Sequence, residues 1–153
     1  MANLLLLHGP NLNLLGTREP AVYGHKTLAQ LDAELRQRAK DAGHILKTAQ
    51  ANSEHVLIEH IHCAQHDATR CILINPAAFT HTSVALRDAL LAVAVPFIEI
   101  HISNPKSREK FRHQSFLEDI AMGVVAGFGT HSYHIALEGA LAFVHSRPEV
   151  QTI

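Results

Sequence analysis

Glu99 and His101 stand two residues apart in the apolar run Pro96-Phe97-Ile98-Glu99-Ile100-His101-Ile102. Positions i and i+2 of a strand share a face. A carboxylate beside an imidazole fixes its tautomer and favours its protonated form, which suits a general acid. The plainer alternative is that one of the two caps a strand end or faces solvent. Arg108 and Arg112 follow at i, i+4, on what reads as a short helix from about Ser107. Two guanidiniums on one face beside a pocket suit an anionic ligand, although solvated helical arginines are common. Tyr23 lies five residues after Arg18 in a polar loop. A free tyrosine, with a pKa of about 10, is a poor base at neutral pH. A cation held within ~4–6 Å lowers that value by a unit or more. Taken alone, Tyr23 also reads as an ordinary lid aromatic.

Further polar side chains sit just beyond apolar runs. Asn11 follows Leu4–Leu7, Asn75 and His81 follow Cys71-Ile72-Leu73-Ile74, and Ser103 follows Ile102. The chain has thirteen histidines, four of which (His55, His60, His62 and His66) fall on one helical stretch. His62 and His66 have the i, i+4 spacing of some zinc sites, but no third ligand is placed by spacing and H-E-x-x-H is absent. They read as a solvated helix face, as do His8, His131, His134 and His145, with His8 near the site edge.

The elements that must position these groups alternate along the chain. Leu4–Leu7 reads as strand one, and a long polar connection from Asn11 to Lys26 suggests a functional lid. Thr27 with Gln30 forms a capping-box signature, Leu28, Leu31, Leu35 and Ala39 follow at helical spacing, and Gly43 stands where a C-cap glycine belongs. His44–Ala49 reads as strand two. A helix capped by Ser53 carries Leu57, Ile61, Ala64 and Ala68 on one face. Cys71–Ile74 is strand three, stopped at Asn75-Pro76, and Thr80-His81-Thr82-Ser83 opens the next helix. Pro96–Ile102 is strand four, Gly123–Phe128 strand five, and a last helix starts at Ser132. Such alternation implies an α/β fold with a parallel sheet covered on both faces. Five strands fit the flavodoxin-like order 2-1-3-4-5, a three-layer sandwich in which strands one, three and four are central. Their carboxyl ends then share one crevice, and the polar groups above converge there.

Bulk properties narrow the function classes. At 153 residues the sequence is expected to form a single domain, 1–153, able to bury a core without disulfide or metal. The net charge is −1 with scattered Lys and Arg, which argues against a nucleic-acid or anionic-membrane surface. Cys63 and Cys71 lack metal-like or redox spacing and suggest a reducing compartment. Met1–Leu7 is too short an apolar start for a signal peptide or a span, so a cytoplasmic location is expected. G-x-G-x-x-G, G-x-x-x-x-G-K-[ST] and G-x-S-x-G are all absent, which disfavours a nucleotide cofactor and an α/β-hydrolase.

Three long segments resemble the type II 3-dehydroquinate dehydratases. They are Leu7-His8-Gly9-Pro10-Asn11-Leu12-Asn13-Leu14-Leu15-Gly16-Thr17-Arg18-Glu19-Pro20 with Tyr23-Gly24, then Asn75-Pro76-Ala77-Ala78-Phe79-Thr80-His81-Thr82-Ser83, then Glu99-Ile100-His101-Ile102-Ser103-Asn104 with Arg108-Glu109 and Phe111-Arg112-His113. Phe79 departs from the Tyr of many members. The resemblance implies dehydration of 3-dehydroquinate to 3-dehydroshikimate without metal or organic cofactor, in the shikimate route or in quinate breakdown, by a dodecamer built as a tetramer of trimers.

The same resemblance implies roles. Tyr23, as tyrosinate, takes the C2 proton, and Arg18 lowers its pKa. Asn11, through a water, stabilises the enolate. His101, held by Glu99, protonates the departing C1 hydroxyl in an anti elimination. Asn75, His81 and Arg112 bind ring hydroxyls, and the N–H groups of Ile102 and Ser103 hold the carboxylate. Asp88 reaches a neighbouring subunit's site, and Arg108 helps to close the lid. Two competing readings are a non-catalytic flavodoxin-like module that binds a small anion or nucleotide, and a type I dehydratase working through a lysine Schiff base. A pure binder needs neither the Tyr23–Arg18 nor the Glu99–His101 pairing, and none of the lysines lies in a strand-end motif.

Overall fold

Alternating strands and helices build one parallel sheet in a computed structural model, which describes residues 1–17, 21 and 24–147. The strands are β1 (Asn3–His8), β2 (Ile45–Gln50), β3 (Thr69–Asn75), β4 (Phe97–His101) and β5 (Gly123–Ala126). The helices are α1 (Leu28–Asp41), α2 (Glu54–Ala64), α3 (Val84–Val93) and α4 (His131–Ser146). The sheet order is β2-β1-β3-β4-β5 with parallel pairs throughout, the flavodoxin-like order. Among the described residues no helix is long and apolar enough to cross a membrane.

Side chains alternate across the central strands and feed two cores. Leu4 and Leu6 of β1 and Leu73 of β3 pack with Leu31 and Leu35 of α1 and Leu137 and Leu141 of α4. Leu5 and Leu7, with Ile72 and Ile74, face Leu57 and Ile61 of α2 and Leu86 and Leu90 of α3. Each such aliphatic side chain contributes about 1.5–3 kcal/mol on full burial, so a period-two strand between two amphipathic helix layers is strongly fixed in register.

Helix starts follow the sequence signals. Thr27 accepts from the Gln30 amide while the Gln30 side chain accepts from the Thr27 amide. Ser83 accepts from the Leu86 amide at 2.9 Å. At α2 the Ser53 hydroxyl pairs with His55 Nδ1 instead of capping the helix.

Two expectations need correction after β4. Arg108 and Arg112 do not share a helix. Pro105–Ser107 and Lys110–Arg112 are separate 3-10 turns, and Arg108 between them is extended, with φ −103° and ψ −163°. Asn104 Oδ1 accepts from the Lys106 amide and the Ser107 hydroxyl donates to the Asn104 carbonyl. Such local side-chain bonds compete with helix formation. Strand five stops at Ala126 rather than Phe128. Gly127 turns to φ 95° and packs against Asn104, which ends the ladder.

Candidate active site

The exit loops of β1 and β3 cross at van der Waals limit. The Gly9 amide donates to the Asn75 carbonyl at 2.8 Å. A Cβ on Gly9 would lie 2.4 Å from the Pro76 carbonyl oxygen, so only glycine permits this approach. Asn11 follows in the left-handed region at φ 69°, a conformation Asn tolerates, and its amide donates to Asn52 Oδ1. Asn75 Oδ1 accepts from the Ala77 amide at 3.1 Å, closing the turn after β3.

One cavity of about 230 Å³ opens at these strand ends. Asn11, Asn75, His81, His101, Ile102, Ser103, Arg108 and Arg112 all line it, together with Leu12 and Leu15. It is smaller than most drug-sized sites and fits a compact, polar metabolite. Its cationic guanidiniums suit an anion.

Glu99 and His101 face the same side of β4, on the side opposite Ile98 and Ile100. Glu99 is fully buried and His101 is 8% exposed. Their link runs from His101 Nε2 to Glu99 Oε1 at 2.6 Å. Thr80 and Ser115 hydroxyls donate to the same oxygen, while Oε2 is buried without a donor among the described residues. Burial alone would raise this carboxyl, but the bond and charge of His101, with Thr80 and Ser115, outweigh it and hold it below the usual range. An ionised Glu99 accepts from Nε2–H and fixes the ring, so a proton given to a ligand from His101 would come from Nδ1–H of the imidazolium.

Other lining groups are held from behind. His81 Nδ1–H donates to the Gln114 carbonyl at 2.7 Å, which leaves Nε2 as an acceptor. Arg108 donates to the Ser103 hydroxyl at 3.2 Å. Arg112 donates to Glu109 at 2.8 Å and stacks over Phe111. The two arginines therefore meet the cavity through separate turns joined by Glu109, despite lacking a common helix.

Not every expected residue joins this group. Asp88 is exposed on α3 and outside the cavity. Arg18 and Tyr23 lie outside the described residues. His55 and His62 are exposed on α2, and His66 just beyond it. Among the described residues no three or more His, Cys, Asp or Glu side chains gather as a metal site would require.

The profile of the family described as dehydroquinase class II matches residues 2–141. The chain belongs to the class II dehydroquinase family. It is 69% identical over 142 residues to the 3-dehydroquinate dehydratase of Xylella fastidiosa (strain M23), covering 93% of this chain and 96% of that protein. It is also similar to solved type II dehydroquinases. The one from Propionibacterium acnes has a TM-score of 0.88 at 39% identity, covering 93% of this chain and 97% of the other. The one from Butyrivibrio crossotus DSM 2876 has a TM-score of 0.88 at 38% identity, covering 92% and 97%.

Within this dehydroquinase three features went unread in the sequence. Thr80 and Ser115 hold Glu99, and Ser115 comes from the loop after the second 3-10 turn, which is tied to the β3 exit by the Phe116 amide donating to the Thr80 carbonyl at 2.8 Å. The third is His8, which is not a solvated histidine: it is fully buried and bonded to Asp32 at 2.8 Å and to Tyr133 at 3.2 Å. Its strand alternates inward as well as its leucines do, and a buried polar side chain must find partners.

Proposed function

We propose that this cavity is where the chain dehydrates 3-dehydroquinate to 3-dehydroshikimate, by anti elimination through an enolate. Hydro-lyase activity on 3-dehydroquinate follows from membership of the class II dehydroquinase family. Tyr23, as tyrosinate, removes the C2 proton alpha to the ketone, with Arg18 lowering its pKa. The electron pair moves into an enolate, whose oxygen Asn11 stabilises through a water. As the enolate collapses, the C1–O bond breaks and His101, oriented by Glu99, gives its proton to the departing hydroxyl, releasing water. Asn75, His81 and Arg112 bind ring hydroxyls, and the N–H groups of Ile102 and Ser103 take the carboxylate. Arg108 closes over the bound substrate. The step uses no metal or organic cofactor.

What supports this reading is the convergence of the Glu99–His101 pair with Asn11, Asn75, His81 and two arginines on one small cavity. The same reading gives one catalytic domain, assembled as a homododecamer in the cytoplasm, with Asp88 serving a neighbouring subunit's site. Its metabolic place is the shikimate route to aromatic amino acids or the breakdown of quinate.

The test is an absorbance assay for the conjugated product, with wild type and Tyr23→Phe side by side and EDTA present. Turnover by the wild type that is lost in the variant and indifferent to EDTA is expected. Near-normal turnover by folded Tyr23→Phe would remove the tyrosine from its role as base, and dependence on a chelatable ion would overturn the cofactor-free step.

A further inference from the structure

Asn75 is 3% exposed, yet it forms part of the cavity wall. Its amide is held from two sides. Oδ1 accepts from the Ala77 amide at 3.1 Å, and Nδ2 donates to the Tyr133 hydroxyl at 2.8 Å. Turning the amide over would set Nδ2 against the Ala77 N–H, donor against donor, so only one orientation satisfies both contacts. Tyr133 is itself buried at the first turn of α4. Burial pushes its phenol well above its ordinary value, so it keeps its proton.

The rest of the chain has one direction. Asn75 Nδ2 can only donate, so the phenol keeps its proton and donates it in a hydrogen bond to His8 Nδ1, at 3.2 Å. The imidazole then carries its proton on Nε2 and donates to Asp32 Oδ1 at 2.8 Å. Asp32 Oδ2 accepts from the Thr48 hydroxyl at 2.7 Å and lies 3.7 Å from Arg36. Five elements, β3, α4, β1, α1 and β2, are tied in series behind one cavity-lining amide. With Oδ1 and one N–H committed, the remaining Nδ2–H is what Asn75 can offer a ligand oxygen.

We propose that Tyr133, His8 and Asp32 are positioning residues that fix the Asn75 amide as a hydrogen-bond donor to substrate. This rests on the reading in which Asn75 contacts a ring hydroxyl. A buried polar cluster with a purely structural role would alter stability but leave the folded enzyme's kinetics alone.

A double-mutant cycle separates the two. Steady-state turnover of 3-dehydroquinate is measured for wild type, Asn75→Ala, Tyr133→Phe and the double variant, with folding followed by circular dichroism. Leu137→Ala, a core change in the same helix, serves as the destabilised control. Tyr133→Phe is expected to lower kcat/KM by roughly tenfold alone and by less than about twofold in the Asn75→Ala background. Leu137→Ala is expected to lower Tm without that kinetic change. Asp32→Ala, at the far end of the chain and less deeply buried than Tyr133, repeats the cycle if Tyr133→Phe does not fold. Losses that combine fully with Asn75→Ala, or wild-type kinetics in Tyr133→Phe and Asp32→Ala while Asn75→Ala is impaired, overturn the proposal. Normal turnover by Asn75→Ala would instead remove Asn75 as a ligand contact and take the proposal with it.

Discussion

At Glu99 a buried carboxylate collects three donors on one oxygen, and each of them favours its charged form. Asp32 has the same logic: burial opposes its charge, but His8, Thr48 and Arg36 hold it below the usual range. Both carboxyls thus bind protons less readily in the folded than in the unfolded chain. The stability they contribute is in place above their ordinary values, 3.8 for Asp32 and 4.5 for Glu99. It is lost as pH falls through the lower folded values. Thermal melts should therefore show Tm falling below about pH 4.5, with a shallower fall in Glu99→Gln; equal slopes would remove Glu99 from that account. In turnover, His101→Ala should lose about 10²–10⁴-fold in kcat while its far-UV dichroism stays native. Glu99→Gln keeps the shape but not the charge, and should fall between this variant and the wild type. A His101→Ala enzyme within a few fold of wild type would end its role as acid.

Loops, more than strands, decide whether these groups meet. Gly9 lets the β1 and β3 exits cross, which brings Asn11 and Asn75 to one wall. Gly9→Ala forces its Cβ against the Pro76 carbonyl and must part the two loops. A loss of about 1–3 kcal/mol by chemical denaturation is expected, together with a drop in kcat/KM, since both asparagines move. Unchanged stability would mean the crossing yields at little cost. Beyond β4, Arg108 and Arg112 show the reverse lesson. The i, i+4 spacing suggested one helix face, yet two single turns and an extended Arg108 bring both guanidiniums to the cavity.

For the whole molecule, the carboxyl edge of the sheet carries the cavity, while β5 is left as a sheet edge with Val124 exposed and Phe128 exposed just beyond it. Unpaired edges and exposed apolar side chains are common where copies of a chain meet. Asp88 lies outside its own chain's cavity, so a part in catalysis requires a second subunit. Asp88→Ala should lower turnover in the assembled enzyme, and sedimentation should give about 200 kDa for twelve chains of 16.8 kDa. Wild-type kinetics in Asp88→Ala would confine the site to single chains.

Apolar periodicity, punctuated by caps and turn residues, specified the order and type of the five strands and the four long helices, because a two-sided parallel sheet demands near-continuous aliphatic strands and striped helices. With the strand order it also indicated which strand ends share a crevice, and the residue types there pointed to an acid held by a carboxylate and to an anionic ligand. Spacing along the chain says nothing of contacts across the sheet. Only the tertiary structure joined Ser115 to Glu99, or His8 to Asp32 and Tyr133, pairs separated by 16, 24 and 125 residues. It likewise decided that the Arg108–Arg112 segment breaks, because local bonds from Asn104 and Ser107 outcompeted a helix that only side-chain spacing had suggested. Buried polar groups must be satisfied by whatever the fold brings near, and that proximity is a property of the packed chain.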